Sequence, residues 1–513
     1  MSTPNHSSVL AIGIDAAEPT LVKQLIEQDE MPALKGLLDR GQWLRVQSPA
    51  LIGSGAVWPT FITGLDPATH GVYSEWSWQP GEMALSRYHG RHLTPFWKEQ
   101  AERNIRIGVF DVPFAMPVGV SDGFEVSEWW AHDSTGAGLQ AGPTEILSLV
   151  KSSPAHPLAA NRFVNATPNS QGDLTALSAA CVEGARLRGE LARTLIEQSS
   201  PRLSLMVFPE IHHAGHQMWH TVEPSHQLYH RRKLKVLEPL LKDVYRAVDA
   251  QLGRLIESRG SYNAILVFSL HGMRPALGFP SFLGPLLNES GFSRIANLSS
   301  QSWRDRALSL FAATKRHAPE NLKKLYYKLT PTSATHKMAR PTMLPVYDWA
   351  NTRAFSLPTD QYGWIRINLV GREAKGSVPS DQYDDTCEQL KKFLLSLVND
   401  DGQPLVRDIL STSANAELAL SNPLPDLVVH WQDAAFAWPL KIKDSSVQVE
   451  PVARKSTGQH ASEGFCIYSG IDTNFSSGMV AAKDLGRMIT GSLSSSKPKE
   501  HLCVTTPSSA LLQ

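Results

Sequence analysis

The feature that most constrains the fold is an alternation of short apolar runs with longer amphipathic stretches. Continuous apolar runs rich in β-branched residues predict buried strands over 9–14, 105–109, 203–208, 264–268 and 427–429. Apolar residues at three- and four-residue spacing predict helices over 20–40, 175–198, 232–258 and 381–398. Strands that alternate with helices favour an α/β fold with a mostly parallel central sheet and helices on both faces. The functional groups of such folds collect at the carboxyl ends of the strands.

The composition bears on partners and location. The chain has 513 residues, and its 49 basic and 49 acidic side chains give a formal net charge of zero. Electrostatics therefore gives no reason to expect a nucleic acid polymer or an anionic membrane as a partner. The four cysteines are scattered and form neither a disulfide framework nor a zinc–thiolate pattern. The amino terminus lacks a signal-peptide pattern and no apolar run approaches the roughly 20 residues that span a membrane, so we expect a cytoplasmic protein.

Two stretches interrupt the alternation. Residues 296–345 are richer in Arg, Lys, Ser and Thr, and predict a helical insertion or cap within a catalytic domain that covers 1–490. The positive charge of this insertion is typical of a solvated helix face, and contact with an anionic substrate or partner is the alternative. Residues 491–513 are rich in Ser, Thr, Pro and Lys, and predict a disordered tail.

A histidine pair directly follows one of the predicted strands. His212 and His216 are four residues apart and come just after the apolar run 203–208. If the following segment is helical, both imidazoles lie on the same face. Imidazole nitrogen is a ligand that zinc and similar divalent metals favour. The pair therefore predicts half of a metal site at the carboxyl edge of the sheet.

Two side chains with oxygen atoms lie in positions that suit a functional site: Asp15 and Ser54. Asp15 follows the first predicted strand, where it can point into a polar site or cap a helix. Ser54 lies between Gly53 and Gly55, so the backbone can approach a ligand closely there. A serine that opens a helix can act as a nucleophile beside an anion site, or it can simply cap that helix. Neither residue decides between these alternatives by itself.

Two further histidines lie in comparable positions. His271 follows the predicted strand 264–268, and His460 lies in a loop between two glycines, Gly458 and Gly464. Each histidine taken alone is more typical of a satisfied polar residue than of a metal ligand. Three such segments, each after a strand or in a glycine-containing loop, favour a shared metal site.

The ordered set of motifs resembles the alkaline phosphatase superfamily, and specifically its type I phosphodiesterase/nucleotide pyrophosphatase branch. The resemblance covers roughly residues 8–470 and includes two further similar stretches, at 365–373 and 425–427. The matching features occur in the order of the family. The first three are an aspartate after the first strand (Asp15), a serine nucleophile position (Ser54) and a Thr-Gly-x-x-Pro-x-x-His-Gly block (63–71). The last three are a His-x-x-Gly-His segment (212–216), a His-Gly-Met segment (271–273) and a Gly-x-His-x-x-x-Gly loop (458–464). The resemblance implies an alkaline phosphatase-like three-layer α/β/α sandwich.

The resemblance also implies two divalent metal ions, usually zinc, and a small-molecule phosphoester substrate. Carried over by position, one metal would be held by His212, His216 and His460. The other would be held by Asp15, His271 and the oxygen of Ser54. Attack by Ser54 on phosphorus would form a phosphoseryl intermediate, which a metal-activated water would hydrolyse. Cations near the serine favour its alkoxide and stabilise the spread-out negative charge of the transition state.

The chain departs from the family pattern at two positions. His212 and Leu270 stand where aspartate ligands of the first and second metal are usual, so the carboxylate charge falls by two. Glu210 and Ser269 are close in sequence and are possible substitute ligands. We expect weak occupancy of the second metal, and three interpretations stay open: a two-metal enzyme, a one-metal enzyme on three histidines, and a non-catalytic relative. An asparagine that pyrophosphatase relatives often have after the His-Gly pair is missing from 72–76, so nucleotide specificity is not carried over.

The sequence is compatible with three function classes. The first is a metal-dependent phosphoester hydrolase, most simply a phosphodiesterase. The second is a relative that acts on another bond: a phosphonate, a phosphomonoester, a sulfate or a transferred phosphoryl group. The residues 54–58 do not match the Cys/Ser-x-Pro-x-Arg motif of sulfatases, which disfavours that activity. The third class is a binding module that uses the histidines structurally. The sequence names neither the physiological substrate nor the oligomeric state.

Overall fold

The computed structural model describes most of the chain, in the ranges 7–88, 93–131, 135–159, 170–226, 228–229, 234–258, 262–276, 282–297, 303, 306, 314, 343–359, 361–432, 440–447, 449, 456–470 and 478–493. The chain divides into two compact units. The described residues of the first unit come from Met1–His70, His89–Pro275 and Lys455–Gln513, and those of the second from Gly71–Tyr88 and Ala276–Arg454. Every candidate site residue named above belongs to the first unit.

The elements are numbered here in chain order. The strands are β1 Val9–Ile14, β2 Gln42–Gln47, β3 Trp76–Gln79, β4 Ala84–Arg87, β5 Ile107–Phe110, β6 Gly123–Ser127, β7 Gln140–Gly142, β8 Leu203–Phe208, β9 Ala264–Ser269, β10 Gly272–Pro275, β11 Ala354–Leu357, β12 Gly363–Ile367, β13 Val406–Ser411, β14 Leu427–Trp431, β15 Gly458–Ala461, β16 Glu463–Gly470 and β17 Met479–Ala481. The α-helices are α1 Pro19–Glu27, α2 Pro32–Leu38, α3 Val57–Thr63, α4 Pro67–His70, α5 Phe96–Glu102, α6 Thr144–Ser152, α7 Gln171–Ser199, α8 Glu210–Met218, α9 Leu234–Glu257, α10 Leu283–Glu289, α11 Tyr383–Leu395, α12 Ala416–Ser421 and α13 Leu485–Gly491.

The first unit is built on one large sheet. Within the described residues it has nine strands in the order β17-β2-β16-β9-β1-β8-β5-β6-β7. The central strands β9, β1, β8, β5 and β6 all pair in parallel, while β16 runs antiparallel between β9 and β2, and β7 runs antiparallel to β6. The predicted mostly parallel sheet is confirmed. The parallel pairing places the carboxyl ends of β1, β8 and β9 side by side at one edge.

Helices cover both faces of this sheet. Alternate side chains of a strand point to opposite faces, and Leu10, Ile12 and Ile14 of β1 join an apolar core with residues of α7 and α9. Gly13 faces the other way, where a Cβ atom would lie 2.9 Å from the ring of Trp58 in α3. An indole packed directly on the sheet therefore leaves room only for glycine at position 13. The three-layer α/β/α arrangement is confirmed.

The second unit contains a separate antiparallel sheet in the order β11-β12-β14-β13 and the antiparallel hairpin β3–β4. Residues of α10 and α11 contribute to its apolar core. The strand predicted at 427–429 lies here, as β14, and not in the parallel central sheet. An apolar run shows that a strand is buried, but it does not show the direction of the strand's neighbours.

Two domain predictions fall largely outside the described residues. Of the predicted insertion at 296–345, the structure describes only 296–297, 303, 306, 314 and 343–345, so the helical cap stays a prediction. Of the predicted tail at 491–513, the structure describes 491–493, and α13 ends at Gly491. Among the described helices, none has the combination of length and apolar character needed to cross a bilayer.

Candidate metal centre and active site

The sheet topology explains why three distant segments meet. In the register of β1 and β8, Ile14 lies opposite Phe208, and the N–H of Asp15 donates to the carbonyl of Phe208 over 2.9 Å. Asp15 therefore lies beside the start of α8. On the other side of β1, the parallel strand β9 ends at Ser269 and leads directly to His271. The carboxyl ends of three neighbouring strands thus supply one site.

The fourth segment reaches the same edge from the far end of the chain. The strand β16 runs antiparallel to β9, so the residues just before β16 lie at the carboxyl end of β9. These residues form β15, which pairs with β10 and places His460 opposite Met273. His460 is thereby held next to His271, and their ring centroids are 4.5 Å apart.

The prediction that His212 and His216 share a helix face is confirmed, because α8 covers Glu210–Met218. Together with His460 they form a triangle of imidazole nitrogens. The Nε2 atoms of His212 and His216 are 2.9 Å apart, those of His216 and His460 are 3.1 Å apart, and those of His460 and His212 are 3.0 Å apart. We call these three residues the histidine triangle.

Neighbouring oxygens fix the tautomers of two of these rings. His216 Nδ1 lies 2.8 Å from the carbonyl oxygen of Gly458, and His212 Nδ1 lies 2.7 Å from Oδ2 of Asp15. A carbonyl or a carboxylate can only accept, so each Nδ1 carries the proton and donates it. The Nε2 atoms of both rings consequently present lone pairs toward the triangle. This is the usual arrangement of a metal-binding histidine, whose other nitrogen donates to an oxygen.

The histidine triangle fits a metal ion. Lone pairs that converge within about 3 Å repel one another unless a proton or a cation lies between them, and one ion can neutralise all three. Zinc–imidazole bonds are about 2.0–2.1 Å long, so nitrogens at these separations could all bind one ion. His212 and His460 are buried, whereas His216 is half-buried, so the triangle is not sealed on all sides. Three imidazoles with an open side are the ligand pattern of catalytic zinc sites.

Asp15, His212 and His271 form a second group of potential ligands, with one candidate ligand atom from each lying within 4.8 Å of the others. All three are buried, with exposed fractions of 1% each. Oδ1 of Asp15 accepts a hydrogen bond of 3.0 Å from Nε1 of Trp58, and it lies 3.7 Å from Nε2 of His271. Asp15 does not cap α1, because the side chain that caps this helix is that of Glu18.

Ser54 opens the short 3-10 turn Ser54–Ala56 that leads into α3. Its side chain is half-buried, and the hydroxyl makes no hydrogen bond to another described residue. The alternative that it only caps the helix finds no support, since α3 begins after Ala56 without a side-chain cap. Trp58, one turn after Ser54, is the residue that reaches Asp15. Ser54 therefore lies in the turn that directly precedes the helix carrying this tryptophan.

The structure does not bring the possible substitute ligands into either group. The carboxylate of Glu210 accepts a hydrogen bond of 2.7 Å from the guanidinium of Arg188. The same guanidinium also contacts Asp111 over 2.7 Å. The hydroxyl of Ser269 donates to the carbonyl of His271 over 2.7 Å. Leu270 is buried and offers no donor atom.

The sequence did not reveal the positioning role of two residues of the site. Trp58 donates to Asp15, and Gly458 allows β15 to approach α8, because a Cβ atom there would overlap the carbonyl oxygen of Gly215. The position of Trp58 shortly after the predicted nucleophile Ser54 was the available signal in the sequence. The role of the Gly458 carbonyl has no signal in the sequence, because any residue has a carbonyl.

Comparison with known proteins decides the family. The model of the type I phosphodiesterase/nucleotide pyrophosphatase family matches residues 9–460. The chain belongs to this family. Type I phosphodiesterases are metal-dependent phosphoric ester hydrolases, and the chain is accordingly a phosphoric ester hydrolase. No curated protein sequence matches the chain significantly.

Solved structures resemble this member of the type I phosphodiesterase family at low sequence identity. Phosphonoacetate hydrolase from Sinorhizobium meliloti 1021, in complex with phosphonoacetate, matches with a TM-score of 0.50 and 14% identity, over 96% of each chain. Murine ectonucleotide pyrophosphatase/phosphodiesterase 5, in complex with AMP, has a TM-score of 0.46 and 13% identity, over 95% of each chain. The first of these likenesses supports the alkaline phosphatase-like fold.

Proposed function

We propose that the chain is a zinc-dependent phosphodiesterase that acts on small-molecule phosphoesters through Ser54. The observation that carries the proposal is the histidine triangle, in which the Nε2 atoms of His212, His216 and His460 lie 2.9–3.1 Å apart. Its donor atoms are all borderline nitrogens, which suit zinc better than magnesium or calcium. The cytoplasmic location expected from the sequence stays a prediction.

The histidine triangle and Ser54 have separate roles in the proposed reaction. The histidine triangle would hold the ion, which supplies positive charge that favours the serine alkoxide and the negatively charged transition state. The hydroxyl oxygen of Ser54 attacks phosphorus as its proton passes to solvent water, and the bond between phosphorus and the first alcohol breaks. That alcohol takes a proton from water as it leaves, and Ser54 carries the remaining phosphoester. Water then cleaves the serine–phosphorus bond, which releases a phosphomonoester and restores Ser54.

Asp15 and Trp58 act on the geometry of this site. Asp15 accepts the Nδ1 proton of His212 and so keeps the Nε2 lone pair of that ring directed into the triangle. Trp58 donates to the second oxygen of the same carboxylate and limits its rotation. A site whose ligands are held in this way needs little rearrangement when it binds an anionic substrate.

Replacement of Ser54 by alanine tests the proposal. We expect Ser54→Ala to lower kcat/KM for an aryl phosphodiester by at least about 10³-fold, because the covalent route is lost. The measurement is the initial rate of release of the aryl alcohol by full-length protein, with bound zinc determined on the same samples. Ser148→Ala is the matched control, because that hydroxyl is exposed on α6 and donates only to the carbonyl of Thr144.

The same samples are assayed on a phosphomonoester, a sulfate ester and phosphonoacetate, the compound present in the Sinorhizobium structure. The proposal expects the phosphodiester to be the best substrate. Unchanged turnover in Ser54→Ala would contradict the nucleophile, and a preference for phosphonoacetate would replace the phosphodiesterase assignment by a phosphonate hydrolase. Loss of activity in the variant without loss of zinc would support the proposal.

A further inference from the structure

We infer that this chain holds a single metal ion, and that Asp15 is a positioning residue for it rather than a ligand of a second ion. The inference rests on the proposed function, in which the histidine triangle holds the ion. It concerns the neighbouring group of Asp15, His212 and His271. The family resemblance implies a second ion held by Asp15, His271 and Ser54, and the described residues around these three do not fit it.

Both oxygens of Asp15 already have donors. Oδ2 accepts from Nδ1 of His212 over 2.7 Å, and Oδ1 accepts from the indole Nε1–H of Trp58 over 3.0 Å. All three side chains are buried, with exposed fractions of 1% each. If Asp15 turned toward a second ion, the two buried N–H groups would lose their acceptor and be left buried without a hydrogen bond, which is unfavourable.

His212 cannot serve two ions without losing its last proton. Its Nε2 atom belongs to the triangle, and its Nδ1 atom faces Asp15. A neutral imidazole has one lone pair and one N–H group, so the nitrogen that faces Asp15 is a donor and not a ligand. The replacement of an aspartate by a histidine at position 212 therefore changes the partner of Asp15 as well as the ligand of the first ion.

Among the residues that the structure describes, too few ligand atoms remain for a second ion. Leu270 offers none, Glu210 is held by Arg188, and the hydroxyl of Ser269 donates to the carbonyl of His271. The potential ligands that remain are His271 and the hydroxyl of Ser54, and Ser54 is the proposed nucleophile. Catalytic zinc sites use three protein ligands beside the open position, so this pair falls short.

The arrangement that remains is a carboxylate–histidine–metal chain, Asp15–His212–ion. In such chains the carboxylate orients the imidazole and raises its basicity, and its removal weakens metal binding about 10–100-fold. Asp15 thus keeps a role at the centre, although its charge reaches the metal through the ring of His212.

Metal stoichiometry tests the inference without reference to activity. Full-length protein is stripped, titrated with zinc in a metal buffer, and measured by elemental mass spectrometry. We expect saturation at one zinc per chain. Cobalt titration followed by its visible absorption should end at the same single equivalent.

Four variants separate a ligand from a positioning residue. We expect Asp15→Ala to keep one zinc per chain with about 10–100-fold weaker affinity, and Asp15→Asn to lose less, because its carbonyl can still accept from His212. His271→Ala should keep one zinc with unchanged affinity, and His216→Ala, which removes a ligand from the triangle, should lose it. Far-ultraviolet circular dichroism checks that each variant is folded. If an Asp15 variant does not fold, the wild-type protein and His271→Ala still decide the question.

Two zinc ions per wild-type chain, with one lost in Asp15→Ala or His271→Ala, would overturn the inference and leave the proposed function intact. No zinc in the wild-type protein would overturn both. An inactive Ser54→Ala protein with one zinc would support both.

Discussion

His212 stands where the family resemblance implies an aspartate ligand, and it links the two groups of potential ligands. Its ring contacts the triangle through one nitrogen and Asp15 through the other. The sequence predicted that Asp15, His212 and the other histidines would converge, because each follows a strand or lies in a glycine-containing loop. It could not predict that Asp15 faces Nδ1 of His212, because side-chain orientations across 197 positions depend on the packed structure.

Gly458 gives a test at the level of one residue. A Cβ atom there would overlap the carbonyl oxygen of Gly215 and would lie 2.9 Å from Cβ of Trp219, so alanine forces β15 away from α8. The carbonyl of Gly458 accepts from Nδ1 of His216, and displacing it disturbs that ring. We expect Gly458→Ala to weaken zinc binding about 10-fold or more and to lower the free energy of unfolding by about 1–3 kcal/mol.

Zinc titration and chemical denaturation measure the two effects. The matched control is Gly36→Ala in α2, where a Cβ atom meets nothing within 4 Å and alanine favours the helix. Equal zinc affinity of Gly458→Ala and the wild-type protein would show that the close approach of β15 and α8 does not position His216.

The secondary-structure elements were predictable to different degrees. The predicted strands 9–14 and 203–208 match β1 and β8 to the residue, because continuous apolar runs end where the buried sheet ends. The single helix predicted at 20–40 is two helices, and Pro32 starts the second, since proline favours the first turn. The strand β15, which carries His460, was not predicted, because four residues with a polar face give no clear period.

A buried cluster of polar side chains contacts Glu210, the first residue of α8. Arg188 of α7 contacts Asp111 and Glu210, and Nε2 of His156 lies 3.6 Å from Oε1 of Glu210. The ring of His156 stacks on Trp130 with centroids 3.6 Å apart. Burial and the nearby Arg188 charge lower the pKa of His156 to about 2. His156 is therefore neutral in the folded protein at every ordinary pH.

This shift makes stability fall in acid. The ordinary histidine pKa is near 6.5, so between about pH 6.5 and pH 2 the unfolded chain binds a proton that the folded chain excludes. The contribution of His156 is fully present above about pH 6.5, and it is lost on acidification at up to about 1.4 kcal/mol per pH unit. We expect His156→Gln, which cannot titrate, to show a shallower decline of the free energy of unfolding between pH 6 and pH 4.

Urea denaturation at a series of pH values, in the same metal state, gives the two slopes. The comparison uses the slopes and not the absolute stabilities, because glutamine also loses the stacking on Trp130. Parallel pH profiles of the two proteins would exclude His156 as a source of the acid sensitivity.

At the scale of the whole molecule, all candidate site residues belong to one of the two units. The site residues belong to the unit that holds the parallel sheet, and the second unit, from Gly71–Tyr88 and Ala276–Arg454, has an antiparallel sheet of its own. The sequence predicted an interruption at 296–345 but not this division, because the strands of both units carry similar apolar runs. The ordered motifs could identify the family because they follow the strands of the first unit.

The central claim is that Ser54 forms a covalent phosphoester with the substrate's phosphorus at a metal centre built on the histidine triangle. The most direct measurement is peptide mass spectrometry of protein quenched in acid during turnover of a phosphodiester. We predict that the peptide containing Ser54 carries the substrate-derived phosphoester, and that His216→Ala protein carries none. Turnover with no modified peptide, or a modification on another residue, would contradict the account.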